Sequence, residues 1–266
     1  MNNIYMCFPG GHHKALTLSY DDGRVEDRRL IEIMNRYGIR GTFHLNGGLF
    51  ERGDRILPEE IPTLYQGHEV SCHTLHHPTI ARCPIHEVIH EVLEDRKVLE
   101  KWTGYPVRGL SYPNGSLSEE IVRILPSCGI RYARMVGSSD TFALPDQPLR
   151  WQATCHHNHR LMEHAEAFNA LFKKQYLYLF YVWGHSYEFE QQNNWDLIET
   201  FCRTMGGRDD VWYCTNIELV DCMERFRLLQ FSADSSFVYN PSAVSCWIRV
   251  NEREPVEIPG GARVEL

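Results

Sequence analysis

The sequence predicts an α/β fold, with a parallel sheet closed or nearly closed into a barrel and a small β-rich C-terminal appendage. Three observations lead there. Short apolar runs alternate with amphipathic helical stretches along most of the chain, and residues able to do chemistry sit directly after those runs. After about residue 227 the alternation gives way to short strand-like runs separated by Asn240-Pro241 and Gly260-Gly261. A chain of 266 residues can bury a large core as one such barrel with an appendage. The expected division is 1–226 for the barrel and 227–266 for the appendage.

Residues 15–20 (ALTLSY) and 41–46 (GTFHLN) read as strands. Between them, 27–37 carries Leu30, Ile33, Met34 and Tyr37 at helical spacing, and Gly38 stands where a helix end tolerates positive φ. HEVSC at 68–72 is the next strand. The clearest helix is 84–102: Ile85, Val88, Ile89, Val92, Leu99 and Trp102 share one face, Pro84 suits the first turn, and Gly104 ends it. Ser116-x-x-Glu119 and Thr215-x-x-Glu218 read as capping boxes opening further helices. Strands at 130–134, 176–183 and 211–214 continue the alternation, and 237–239, 244–250 and 256–258 supply the appendage. Catalytic groups in parallel barrels gather at the C-terminal ends of the strands.

Composition narrows the function classes. The chain is 43% hydrophobic and 23% charged with a formal net charge of -8, so no basic surface invites nucleic acid or a membrane of anionic lipid. A small neutral or polar substrate suits that balance. The first residues, MNNIYMCFPGG, show no basic segment leading into an apolar run, and the longest apolar stretch, YLYLFYVW at 176–183, is far too short to span a bilayer. Nine cysteines occur without any C-x-x-C pair, an odd number that reads as reduced thiols. The expected location is the cytoplasm. No feature of the sequence specifies an oligomeric state.

Two segments carry chemistry. Tyr20-Asp21-Asp22-Gly23 follows a strand directly, and its adjacent carboxylates repel unless a cation or a shared proton relieves them. Alone, it would equally suit a turn or a helix N-cap. His73-Thr74-Leu75-His76-His77-Pro78 also follows a strand. One helical turn would bring His73 and His77 to one face, with His76 pointing elsewhere. Two imidazoles and one carboxylate leave coordination positions open, as a catalytic ion requires. The candidate ligands are therefore Asp22, His73 and His77, with Asp21 beside them as general base.

In order and spacing, LTLSYDDG (16–23), GTFHLNGG (41–48), GHEVSCHTLHHP (67–78), GLSYPNG (109–115) and LFYVWGHSYEF (179–189) resemble the polysaccharide deacetylases of carbohydrate esterase family 4. The resemblance runs from about residue 15 to 220 and implies a distorted barrel of about seven strands that hydrolyses an N-acetyl group on a sugar. Carried over position by position, it makes Asp21 the base, Asp22, His73 and His77 the metal ligands, and His185 the general acid. It places an oxyanion-holding backbone N–H at Asn114, with Tyr112 and Trp183 as further residues lining the substrate. The implied cofactor is one divalent ion, Zn2+ first, with Co2+, Ni2+, Mn2+ or Fe2+ accepted by the same ligands.

Two positions depart from the family pattern. Ser111 stands where an arginine normally orients the base, and Arg108 and Arg150 are candidates to replace it in space, a choice the sequence leaves open. Trp183-Gly184 precedes His185 where the family has a small aliphatic residue, and an indole there would narrow the site or stack on a sugar.

Other readings stay open. The same site would serve a linear or cyclic amide or imide, or an acetyl ester. Two histidines and a carboxylate also serve non-haem iron oxygenases, against which the barrel pattern and Asp21 argue. Ser111 further motivates a carbohydrate-binding protein without catalysis. Cys155-His156-His157-Asn158-His159 has ligand types but no visible partner cluster, and is read as lining or supporting the cleft.

Overall fold

β1 (Ile4–Cys7) leads into β2 (Lys14–Asp21), whose eight residues are all buried. Burial on both faces is what a parallel strand inside a helix-covered sheet requires. The side chains of β2 sort by the strand period. Leu16, Leu18 and Tyr20 join the large core between sheet and helices, while Ala15 joins a second core with Tyr132, Trp151, Tyr181 and Trp183. Full burial of each such aliphatic side chain contributes about 1.5–3 kcal/mol. The alternate set on β2, Thr17, Ser19 and Asp21, is polar and equally buried.

β3 (Gly41–Leu45), β4 (Glu69–Cys72), β5 (Gly109–Ser111), β6 (Tyr132–Met135), β7 (Trp151–Gln152), β8 (Cys155–His156), β9 (Tyr178–His185) and β10 (Val211–Tyr213) complete the sheet. Their order is β7-β6-β5-β4-β3-β2-β9-β8, every pairing is parallel, and β10 lies against the N-terminal half of β2. β7 and β8 are the two ends of this path, so the barrel stays open along one seam. The architecture is the distorted (β/α) barrel expected from the sequence. Two strands of only two residues each bring the count above seven. The computed structural model describes residues 2–266.

A polar network fills the barrel interior. Glu69 accepts hydrogen bonds from the Thr42 hydroxyl (2.9 Å), the Tyr132 hydroxyl (2.8 Å) and the Ile217 N–H (2.9 Å). Burial still pushes its carboxyl up to about 7, with these donors opposing the shift. Gly109 admits the Tyr132 ring: a Cβ there would stand 2.1 Å from the ring.

The helices follow the sequence reading with one difference. The helix Asp27–Arg36 ends before Gly38 at φ 68°, and Ile85–Thr103 ends at Gly104 with φ 73°. The Thr215/Glu218 capping box forms as expected. At 116–119 it does not: Ser118 caps the helix Glu119–Ile124, and the Ser116 hydroxyl instead accepts the Ala81 N–H. Ser118 stands next to the first helical residue, so it reaches the orphan N–H groups that Ser116 cannot. Asp95 lies with Val88, Val92 and Leu99 on the buried face of Ile85–Thr103.

The C-terminal segment contains β11 (Gln230–Phe231), β12 (Phe237–Tyr239), β13 (Cys246–Val250), β14 (Val256–Ile258) and β15 (Arg263–Glu265) in two small antiparallel sheets. β1 pairs with β13, from Ile4 opposite Val250 to Cys7 opposite Trp247. The N-terminal strand thus belongs to the appendage, and a boundary at 226/227 would part it from its partner. Val238, Ile248, Val250 and Ile258 form this layer's own core, with Ile4 and Met6 packed against it.

Candidate active site

The C-terminal end of β2 brings three reactive residues level. Asp21 is the Cα partner of His44 on β3 and of His185 on β9. Beyond it the chain turns sharply, with Asp22 at φ 84° and Gly23 at φ 60°, so the two adjacent carboxylates face different partners. The Asp22 N–H donates to the His44 carbonyl at 2.9 Å and fixes that turn.

β4 delivers His73 by the same logic, but the segment after it is a loop. Thr74 and His77 have φ of 63° and 60°, so the one-turn helix expected across His73–His77 does not form. The left-handed residues fold the loop back, and the two imidazole rings meet with centroids 4.7 Å apart. His76 turns away and binds Glu91 through its ring Nδ1 at 2.8 Å.

Donor atoms of Asp22, His73 and His77 lie within 4.8 Å of one another. His73 Nε2 is 3.9 Å and His77 Nε2 is 4.0 Å from Asp22 Oδ1. Those separations are too long for hydrogen bonds and lie within the span of two metal–ligand bonds of about 2.0–2.2 Å. The His73 Nδ1–H donates to the Ser111 carbonyl at 2.9 Å, which leaves a lone pair on Nε2 facing Asp22. These residues fit a divalent cation.

Asp21 is buried beside this trio. Ser111 Oγ donates to its Oδ1 at 3.1 Å, and the Arg134 guanidinium pairs with its Oδ2. Burial by itself would raise the carboxyl's pKa; the Arg134 charge, with His73, His44 and His185 behind it, holds it well below the usual carboxylate range. Asp21 is thus an ionised, buried and fixed carboxylate.

Arg134 supplies the guanidinium for which the sequence offered Arg108 and Arg150 as candidates. Arg108 pairs with Asp221 through two contacts of 2.8 Å, and Arg150 pairs with Glu119, so neither serves Asp21. Arg134 is fully buried on β6 and lies over the Trp183 ring at 4.3 Å. The indole Nε1–H donates to the Gly137 carbonyl at 2.9 Å. Trp183, only 6% exposed, therefore supports the arginine instead of offering a sugar an open face. Tyr112 is also buried, its hydroxyl donating to the Leu149 carbonyl at 2.7 Å. Asn114 is exposed at the rim with φ 56°, and its side-chain amide donates to the Thr79 hydroxyl.

At the end of β9, His185 Nδ1 lies 3.3 Å from Glu188 Oε1. Glu188 also sits 3.1 Å from His156 Nε2 and 3.0 Å from His157 Nε2. Burial alone would lower the His185 pKa, but the Glu188 hydrogen bond and the Asp21 and Asp22 charges lift it above the usual histidine value. His157 is fully buried, its ring stacked on Phe189 with centroids 4.1 Å apart, and burial lowers its pKa to about 4.

Sequence reasoning missed Arg134, Glu188 and Asp95. Asp95 accepts the Gly47 N–H at 2.6 Å and the His73 N–H at 3.0 Å, tying the loop that carries His73 to a helix. Each had a signal: an arginine at an inward strand position, a glutamate three residues after His185, an aspartate at apolar helix spacing.

The polysaccharide deacetylase family profile matches residues 9–133. The chain is 23% identical over 111 residues to a peptidoglycan-N-acetylglucosamine deacetylase of Listeria monocytogenes, covering 41% of this chain and 23% of that protein. It is 25% identical over 119 residues to a chitooligosaccharide deacetylase of Sinorhizobium fredii, covering 44% and 54%. The chain thus spans about a quarter to a half of these relatives' lengths. Its fold is similar to that of a Mycobacterium smegmatis protein assigned to the polysaccharide deacetylases, with TM-score 0.62, 16% identity, and coverage of 85% of this chain and 96% of that one. It is also similar to the peptidoglycan deacetylase PdaC of Bacillus subtilis, with TM-score 0.54, 15% identity, and coverage of 81% and 93%. Among the described residues, no helix is long and apolar enough to cross a membrane. The family profile over residues 9–133, the deacetylase relatives and the shared fold together support the polysaccharide deacetylase family, carbohydrate esterase family 4.

Proposed function

We propose that this protein is a metal-dependent deacetylase that hydrolyses the N-acetyl group of an amino sugar or short oligosaccharide. One observation carries the reading: Asp22, His73 and His77 turn their donor atoms toward one point beside the buried, ionised Asp21. The named activities of its relatives support the reaction class.

Asp22, His73 and His77 would hold the ion, Zn2+ by its donor set. When bound, such an ion activates water and polarises the amide carbonyl. Asp21 accepts a proton from the attacking water, and Arg134 and Ser111 keep its carboxylate aimed and charged. The Asn114 backbone N–H is the proposed donor to the developing oxyanion. His185 gives a proton from Nε2 to the amide nitrogen as the C–N bond breaks, so a free amine and acetate leave. Glu188 holds the opposite ring nitrogen and sets that tautomer. The nine free thiols support a reducing compartment, and we place the activity in the cytoplasm.

The test is acetate release from N-acetylglucosamine and its short oligomers by Zn2+- or Co2+-loaded protein, run beside linear and cyclic amides. Asp22→Ala and His77→Ala should lose the ion held beside Asp21 and turnover together. Undiminished turnover in metal-free protein, or cleavage of the amides with no action on acetylated sugars, would reject the proposal.

A further inference from the structure

The histidine-rich segment 155–159 is divided between two carboxylates, and only His156 and His157 face Glu188. His159 turns the other way. Its Nε2 lies 2.9 Å from Asp140 Oδ1, and His164 Nε2 lies 2.9 Å from the same oxygen. All three donor atoms lie within 4.8 Å of one another. The His159 and Asp140 side chains are 44% and 47% exposed and His164 is 9% exposed, so the cluster opens to solvent on one side only. On the other side the His164 ring packs edge-on against Phe142 and Phe180.

Three separate pieces of chain make this cluster. Asp140 sits in the loop between β6 and β7, His159 follows β8, and His164 is on the buried face of the helix Leu161–Asn169. The loop is already stitched to the segment opposite. The Ser139 and Asp140 N–H groups donate to the Ala153 and Thr154 carbonyls at 2.9 and 3.0 Å, and Ser138 Oγ accepts the His156 N–H at 3.0 Å. An exposed carboxylate gains only about 0.2–1 kcal/mol from a surface ion pair, a weak reason to aim two imidazoles at one oxygen. Two imidazole nitrogens and a carboxylate oxygen are, in contrast, a ligand set that zinc-class ions accept.

We propose that Asp140, His159 and His164 bind a second divalent ion of the zinc class, completed by water, which clamps the loop after β6 to the segment after β8 across the barrel's open seam. The same loop carries the Gly137 carbonyl that holds the Trp183 indole under Arg134. The clamp therefore braces the support of the Asp21 partner without touching substrate.

Metal analysis and thermal unfolding of Asp22→Ala protein test this, because that variant removes the site beside Asp21. After stripping and titration with Zn2+, it should keep one ion per chain and unfold at a higher temperature with the ion than without. Combining Asp22→Ala with Asp140→Ala and His159→Ala, both at exposed positions, should abolish that ion and the thermal shift. In an otherwise unaltered chain, Asp140→Ala should lower zinc content from two ions per chain to one. Absence of any ion on Asp22→Ala protein overturns the proposal. So does an ion that survives Asp140→Ala and His159→Ala but is lost in His157→Phe, which would place it at Glu188. None of these readouts depends on the sugar substrate, so they stand apart from failure of the deacetylase reading.

Discussion

Ser111 and Arg134 are Cα partners on the neighbouring parallel strands β5 and β6, and both side chains reach the Asp21 carboxylate, one to each oxygen. A guanidinium can therefore serve Asp21 from β6 while β5 contributes a hydroxyl small enough to sit beside His73 Nδ1 at 2.6 Å.

Arg134→Ala should lower kcat for acetate release at least about 100-fold, roughly 2.7 kcal/mol of barrier, while bound metal is unchanged. Arg134→Lys should recover only part of this, since an ammonium cannot both pair with Asp21 and spread over the Trp183 ring. Steady-state kinetics with metal analysis on the same preparations check it. Loss of metal together with rate would move Arg134 from orienting the base to holding the site together.

Chelation should abolish turnover, and restoring Zn2+ or Co2+ should return it. His77→Ala should prevent the return, because His77 supplies one of the three donors that would hold the ion. Metal content measured before and after gives the answer independently of rate.

Glu188→Gln should shift the alkaline limb of the pH–rate profile to lower pH and reduce kcat. Glu188 raises the His185 pKa, and an acid must be protonated to act, so removing the carboxylate's charge lets His185 deprotonate sooner. A pH–kcat profile of both proteins decides this, and an unmoved alkaline limb would dismiss His185 as the acid.

Asp95→Ala should destabilise the fold and weaken metal binding together. It leaves the half-buried Gly47 N–H without its acceptor, at about 1–3 kcal/mol for a buried group left unsatisfied, and leaves the His73 N–H with the Leu45 carbonyl alone. Asp95→Asn, which keeps one acceptor oxygen, should fall between the two. Thermal melts and metal titration measure both effects.

Glu69 makes a contribution to stability that falls as pH rises from about 4.5 to about 7, opposed over much of that range by His44, His68 and His157, whose lowered folded pKa values favour the folded state as pH rises. The folded pKa of Glu69 is raised from 4.5 to about 7, so the folded protein holds a proton that the unfolded chain releases earlier. The contribution is complete below pH 4.5 and lost as pH passes the folded value, a change of roughly 1–3 kcal/mol. Glu69→Gln should remove this contribution, read as the difference between the two proteins at each pH, and leave those of Asp27 and Asp95, likewise raised to about 7 and about 8. Denaturant midpoints across this pH range provide the measurement.

The sequence by itself determined the strand–helix alternation, the ends of β2, β4 and β9, and hence the placement of Asp21, Asp22, His73 and His185 at one rim. Strand period and helix spacing are local properties of the chain, and parallel strands put their C-terminal ends on one side. The tertiary structure alone decided which arginine reaches Asp21, which carboxylate holds His185, and that β1 pairs with β13. Arg134 and Asp21 are 113 positions apart, and β5 to β6 register decides their meeting. The cluster at 155–159 shows the same division: its ligand-type residues are plain in the sequence, but Glu188, Asp140 and His164 become partners only when separate strands, loops and helices pack together. Register and packing are long-range outcomes of burying the sheet's two faces, and no window along the chain contains them.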